Sequence, residues 1–150
     1  MPGEFRCLWL PTALALLTFG VWQAEGFTGS PQPKGLVLAL QANKESYAPG
    51  EPILLTLQVV NQSPQPVILQ FRTAQRFDLV IQDAQGRRVW QWSRGEMFAQ
   101  VIGEETVPSG EPLRYRITVR DRFPLGTYTV VGMIVADDGP MAASVTLRIA

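Results

Sequence analysis

Apolar residues return at every second position in short runs broken by Gly and Pro clusters, and this alternation limits the chain to extended structure. The pattern is densest over residues 77–100, FDLVIQDAQGRRVWQWSRGEMFAQ. Phe77, Leu79 and Ile81 alternate with Asp78, Val80 and Gln82, the period of a strand with one buried face. Asp83-Ala84-Gln85-Gly86 then supplies a carboxylate that can bond the turn backbone and a glycine that tolerates positive φ, so the chain doubles back as a hairpin. The returning strand, 89–92, sets Trp90 and Trp92 on one face. Ser93-Arg94-Gly95-Glu96 interrupts it, and Phe98 opens a third apolar run. Because this segment holds the largest apolar side chains, Trp90 and at least one of Phe77 and Phe98 are expected in the core.

The same pattern extends along the chain. Strands are expected at 36–42, 53–60 and 67–71 before the hairpin, and at 113–119, 128–136 and 143–149 after it, nine with those of the 77–100 segment. The strand at 53–60 is apolar on both faces and belongs at the centre of a sheet. Tyr47-Ala48-Pro49-Gly50-Glu51-Pro52 and Val107-Pro108-Ser109-Gly110-Glu111-Pro112 are two similar turn clusters, each ahead of a strand. No helix is expected. Short strands at regular spacing predict an all-β fold, an immunoglobulin-like antiparallel β-sandwich. Tyr128, after Leu125-Gly126-Thr127, fits either the tyrosine corner of such domains or an ordinary core tyrosine.

Residues 1–26 carry Arg6 ahead of an apolar stretch over 8–22, and small residues at Ala24 and Gly26. They predict a secretory signal peptide, with an uncleaved N-terminal anchor as the alternative. Residues 27–35, FTGSPQPKG, have linker composition, which leaves 36–150 as a single domain. An extracytoplasmic location follows, secreted or tethered through the uncleaved segment.

Thirteen basic and thirteen acidic residues balance, so no overall field attracts nucleic acid or a membrane surface. Histidine is absent and Cys7 is the one cysteine, which removes internal disulfides, the commonest metal ligand and the usual base of a serine nucleophile. The acidic pairs Glu104-Glu105 and Asp137-Asp138 point to opposite faces of an extended chain and read as solvated turns; calcium at Asp137-Asp138-Gly139 has only two carboxylates behind it. Trp90 and Trp92 read as strand packing or as a sugar-stacking platform. Arg114, Arg116 and Arg120 mark one face of the 113–119 strand, either a solvated sheet face or a docking surface for an acidic partner. An enzyme is not expected, nor a cofactor or metal.

An ordered series of motifs adds a family likeness. Asn61, Pro66-Val67, Phe71, Gln75-Arg76-Phe77-Asp78-Leu79, Gly86, Val89-Trp90-Gln91-Trp92-Ser93, Phe98-Ala99-Gln100, Pro108-Ser109-Gly110-Glu111 and Gly126-Thr127-Tyr128 resemble the Bacillus intracellular proteinase inhibitor family, BsuPI. The resemblance covers residues 42–136 and implies an immunoglobulin-like sandwich and a protein that binds and inhibits a serine proteinase. The founding protein of that family is intracellular, whereas the N-terminal segment here predicts export.

Inhibition needs a rigid loop able to enter a proteinase cleft. The candidate is Ser93-Arg94-Gly95-Glu96-Met97, whose Arg94 suits a trypsin-like specificity pocket; the ordinary reading of the same residues is a solvated hairpin loop. The alternative function is a structural or adhesion-type immunoglobulin-like module.

Overall fold

The computed structural model describes residues 35–139 and 141–150. Among these there are ten strands and no helix: β1 (Leu36–Ala42), β2 (Ser46–Tyr47), β3 (Ile53–Asn61), β4 (Val67–Phe71), β5 (Phe77–Gln82), β6 (Arg88–Gln91), β7 (Gly103–Val107), β8 (Leu113–Val119), β9 (Gly126–Ile134) and β10 (Met141–Ile149). The expected signal peptide lies outside the described residues, as does the linker apart from Gly35.

The strands form a β-sandwich. One sheet has the order β1-β3-β8 and the other β2-β10-β9-β5-β6, while β4 and β7 make a separate ribbon. Every pairing is antiparallel except β2 with β10. The two-sided apolar strand is central, as its composition requires: β3 lies between β1 and β8. The sheets meet where Leu40 and Leu57 of one approach Gly132 and Leu79 of the other. A Cβ placed on Gly132 would lie 2.7 Å from Leu57 Cδ1 and 3.2 Å from Leu79 Cδ2, so this glycine sets how closely the layers pack. Both turn clusters hold their glycine at positive φ, Gly50 at 84° and Gly110 at 77°, and deliver the chain into β3 and β8, which are neighbours.

Two strands escape the sequence pattern and one expected strand is missing. β2 is only two residues long, too short for periodicity, yet it carries the fully buried Tyr47, whose hydroxyl donates to Asn43 Oδ1 at 2.6 Å. β7 reads as polar because its inward positions are Gly103, Glu105 and Val107. Glu105 is tolerated there because Arg76 Nε donates to it at 3.0 Å while the Arg76 guanidinium lies over the Phe71 ring. No strand opens at Phe98: the chain runs irregularly from Glu96 to Ile102 before β7 begins.

The core also differs from expectation. Phe77, Trp90 and Phe98 are half-buried, the first two packed against the core, and the fully buried aromatics are Tyr47 and Phe71. For Trp90 the reason is position, since β6 is an edge strand. Tyr128 takes the tyrosine-corner geometry, donating its hydroxyl proton to Pro124 O at 2.8 Å.

Candidate functional site

The β5–β6 hairpin is closed at one end by Asp83. Its Oδ1 accepts from the backbone N–H of Gln85 and of Arg87, both at 2.9 Å, and Gly86 turns the chain at φ 77°. Desolvation works against the charged form, but hydrogen bonds from the Arg87 backbone and guanidinium and from Gln85 N hold the Asp83 carboxyl below its usual range. The other end of the hairpin leads into the 93–97 loop.

The base of that loop is fixed by Asp78, on the face of β5 turned away from Leu79 and Ile81. Asp78 is 5% exposed and its carboxylate accepts four hydrogen bonds. Oδ1 receives Leu79 N at 2.8 Å and Ser93 N at 3.1 Å; Oδ2 receives Gln91 Nε2 at 2.6 Å and Ser93 Oγ at 2.7 Å. A carboxylate removed from water is stable here because all these donors converge on it. Ser93 is thereby held at backbone and side chain together.

Beyond Ser93 the chain makes two overlapping turns. Arg94 N donates to Gln91 O at 3.3 Å and Glu96 N to Ser93 O at 3.0 Å, with Gly95 at φ 84°. Arg94, Gly95, Glu96 and Met97 are all exposed, Met97 to 96%, and Arg94 has no ion pair among the described residues. The far side of the loop is anchored too. Trp92 packs against Phe77, 4.3 Å away between ring centroids, and against Phe98 at 5.7 Å, and Ala74 N donates to Ala99 O at 2.9 Å. Trp92 is thus engaged in ring packing, the ordinary reading of this aromatic pair, and Trp90 directs its Nε1 proton to Asp121 Oδ2 at 2.8 Å.

The structure adds two residues to this surface. Val101 and Ile102 follow the Phe98 anchor and are 62% and 79% exposed. Three uncovered apolar side chains, with Met97, therefore lie on one short segment. They belong to the apolar stretch that Phe98 opens.

The other sequence candidates find ordinary partners. Asp137 pairs with Arg72 at 3.1 Å, and among the described residues no three His, Cys, Asp or Glu side chains gather in a metal-binding group. Glu105 pairs with Arg76, and Glu104 accepts from Gln70 Nε2 at 3.4 Å.

Comparison with protein families matches residues 40–139 to BsuPI, intracellular proteinase inhibitor. The chain belongs to the BsuPI family. The match takes in β2 through β9, including the Asp78 clamp and the 93–97 loop. It also corrects the location expected from the N-terminus: the BsuPI family is described as intracellular, which points away from an extracytoplasmic protein.

No curated protein matches the chain. Among solved structures it is similar to the C-terminal domain of Wzt, at 12% identity and a TM-score of 0.53, covering 83% of this chain and 80% of that one. It is also similar to Spo0M, a sporulation control protein from Bacillus subtilis, at 18% identity and a TM-score of 0.47, covering 77% of this chain and 48% of that one. A Pseudomonas fluorescens alkylpurine DNA glycosylase, AlkC, matches at 14% identity and a TM-score of 0.48, with 77% of this chain and 30% of that one covered. The chain thus spans half or less of the length of these last two proteins. The Wzt likeness supports the β-sandwich as a fold.

Proposed function

We propose that this BsuPI-family protein is a non-catalytic inhibitor that binds a serine proteinase through the 93–97 loop, displayed on an immunoglobulin-like sandwich. The observation that carries the reading is the Asp78 clamp. A loop that enters an enzyme cleft loses affinity for every degree of freedom it must surrender on binding. Here Ser93 is already held by two hydrogen bonds to a buried carboxylate, and Phe98 is packed on Trp92 just beyond the loop.

Between these anchors Arg94 and Met97 project into solvent. Arg94 is the side chain assigned to the specificity pocket of a trypsin-like proteinase, because an arginine seated in a complementary acidic pocket is among the residues that dominate interface energy. Met97 extends the contact.

Inhibition constants of wild type and Arg94→Ala against a trypsin-like serine proteinase test the assignment. Loss of the anchor should weaken inhibition by about 2 kcal/mol, roughly thirtyfold. Equal constants discard the loop. Inhibition of no serine proteinase by the wild type discards the inhibitor reading.

A further inference from the structure

Among the described residues β8 has a neighbour on one side only. It pairs with β3 and with no other strand, and among the described residues none of its backbone groups bonds elsewhere.

Which groups face the open side follows from the phase of the ladder. Gln62 N donates to Gly35 O at 3.0 Å and Asn43 N to Leu54 O at 3.1 Å, so the even-numbered residues of β3 turn their backbone groups toward β1. The odd-numbered ones turn toward β8. Opposite Leu55, Leu57 and Val59 stand Ile117, Tyr115 and Leu113, which therefore bond β3. Arg114, Arg116 and Thr118 are left presenting N–H and C=O to the free edge.

The same residues carry the charge. Arg114 and Arg116, with Arg120 just past the strand end, are exposed on the outer face of the sheet. Among the described residues none of the three has an ion pair; Arg114 Nε donates to Gln58 Oε1 at 3.3 Å. Across the sheet their partners in register are Gln58 and Thr56, and beyond those Ala39 and Gln41, so no carboxylate offsets the arginines along these rows. On the inner face Leu113 and Tyr115 are only half-buried, leaving an apolar margin at the edge.

We infer that the open edge of β8 docks an extended acidic segment of a partner protein as an added strand. In an antiparallel arrangement, residues paired with Arg114 and Arg116 stand on the outer face beside the guanidinium groups, and the alternate residues turn inward over Leu113 and Tyr115. The recognised chemistry is a strand alternating carboxylates with apolar side chains. A second copy of this chain does not fit, because β8 against β8 about a two-fold sets arginine beside arginine. The surface uses no residue of the 93–97 loop.

The test is fluorescence anisotropy of a labelled synthetic peptide of alternating Glu and Val, titrated with the full-length protein, with hydrogen exchange read on the complex. Binding should weaken as salt rises, and at least tenfold in Arg116→Glu. Amides of Arg114, Arg116 and Thr118 should gain protection, while those of Tyr115 and Ile117, already bonded to β3, should change little. Arg94→Ala should bind as wild type does. Should Arg116→Glu unfold, the double variant Arg114→Gln/Arg116→Gln takes its place, with the same tenfold loss expected. Absence of binding, binding left within twofold by both variants, equal affinity for a peptide of the same composition in scrambled order, or no gain of protection at Arg116 would each overturn the inference.

Discussion

Ser93 donates to Asp78 twice, from its backbone N–H to Oδ1 at 3.1 Å and from its hydroxyl to Oδ2 at 2.7 Å, tying the start of the candidate loop to a buried position on β5. Asp78→Ala leaves the N–H groups of Leu79 and Ser93 without this acceptor, and should lower stability by about 1–3 kcal/mol. Denaturant midpoints check the figure. Hydrogen exchange should show Ser93 opening more than residues at the Asp83 turn, which has its own carboxylate.

Two tyrosines should respond in opposite directions to loss of the hydroxyl. Tyr128→Phe removes the bond to Pro124 O and should cost about 0.5–1.5 kcal/mol. Tyr115 has its hydroxyl oxygen shielded from solvent with no partner among the described residues, so Tyr115→Phe should be neutral or stabilising. Thermal unfolding of the pair measures the contrast.

Tyr115 also predicts an alkaline limit. Burial, helped by Glu105 and opposed by Arg76, pushes its phenol up to about 12. An unfolded chain loses that proton near 10, so between about 10 and 12 the unfolded state binds fewer protons and stability falls as pH rises. Below about 10 the contribution is intact. Tyr115→Phe should flatten that part of the stability profile.

Gly132→Ala should destabilise the sandwich by about 1–3 kcal/mol, since the added methyl meets Leu57, Leu79 and Leu40 from both sheets. The neighbours are flexible side-chain ends, so the domain should still fold. Unfolding with an unchanged midpoint would mean that the layers separate at no cost.

Aromatic truncation should follow position rather than size. Phe71→Ala, at a fully buried site, should cost about 3–5 kcal/mol, and Trp90→Ala, at the sandwich margin, should cost less. Urea midpoints of the two variants rank them.

The strands with clean alternation were legible in the sequence, as was the central place of β3, because period-two burial writes itself into residue order. Asp78 stands in the sequence as a polar alternate of Phe77 and Leu79 and as one residue of the family motif, without a role: nothing in a strand pattern marks a carboxylate whose donors, Gln91 and Ser93, arrive from a neighbouring strand and loop. Trp90 misled by its size, since edge placement depends on topology. β7 was hidden because Glu105 takes an inward position that only Arg76, twenty-nine residues away, makes tolerable. Val101 and Ile102 were visible as apolar residues, but their exposure depends on the chain leaving the sheet after Phe98.

The most direct test of the clamped loop is a parallel inhibition titration of a trypsin-like serine proteinase with the full-length wild type and Asp78→Asn, whose near-ultraviolet spectra are first matched to establish equal folding. The account predicts inhibition by the wild type and a constant at least tenfold weaker in Asp78→Asn, because the amide keeps the shape of Asp78 but has one acceptor oxygen and cannot accept from the Ser93 N–H and from Gln91 Nε2 together, which bond different oxygens of the carboxylate. Equal constants for the two proteins, or no inhibition by the wild type, would contradict it.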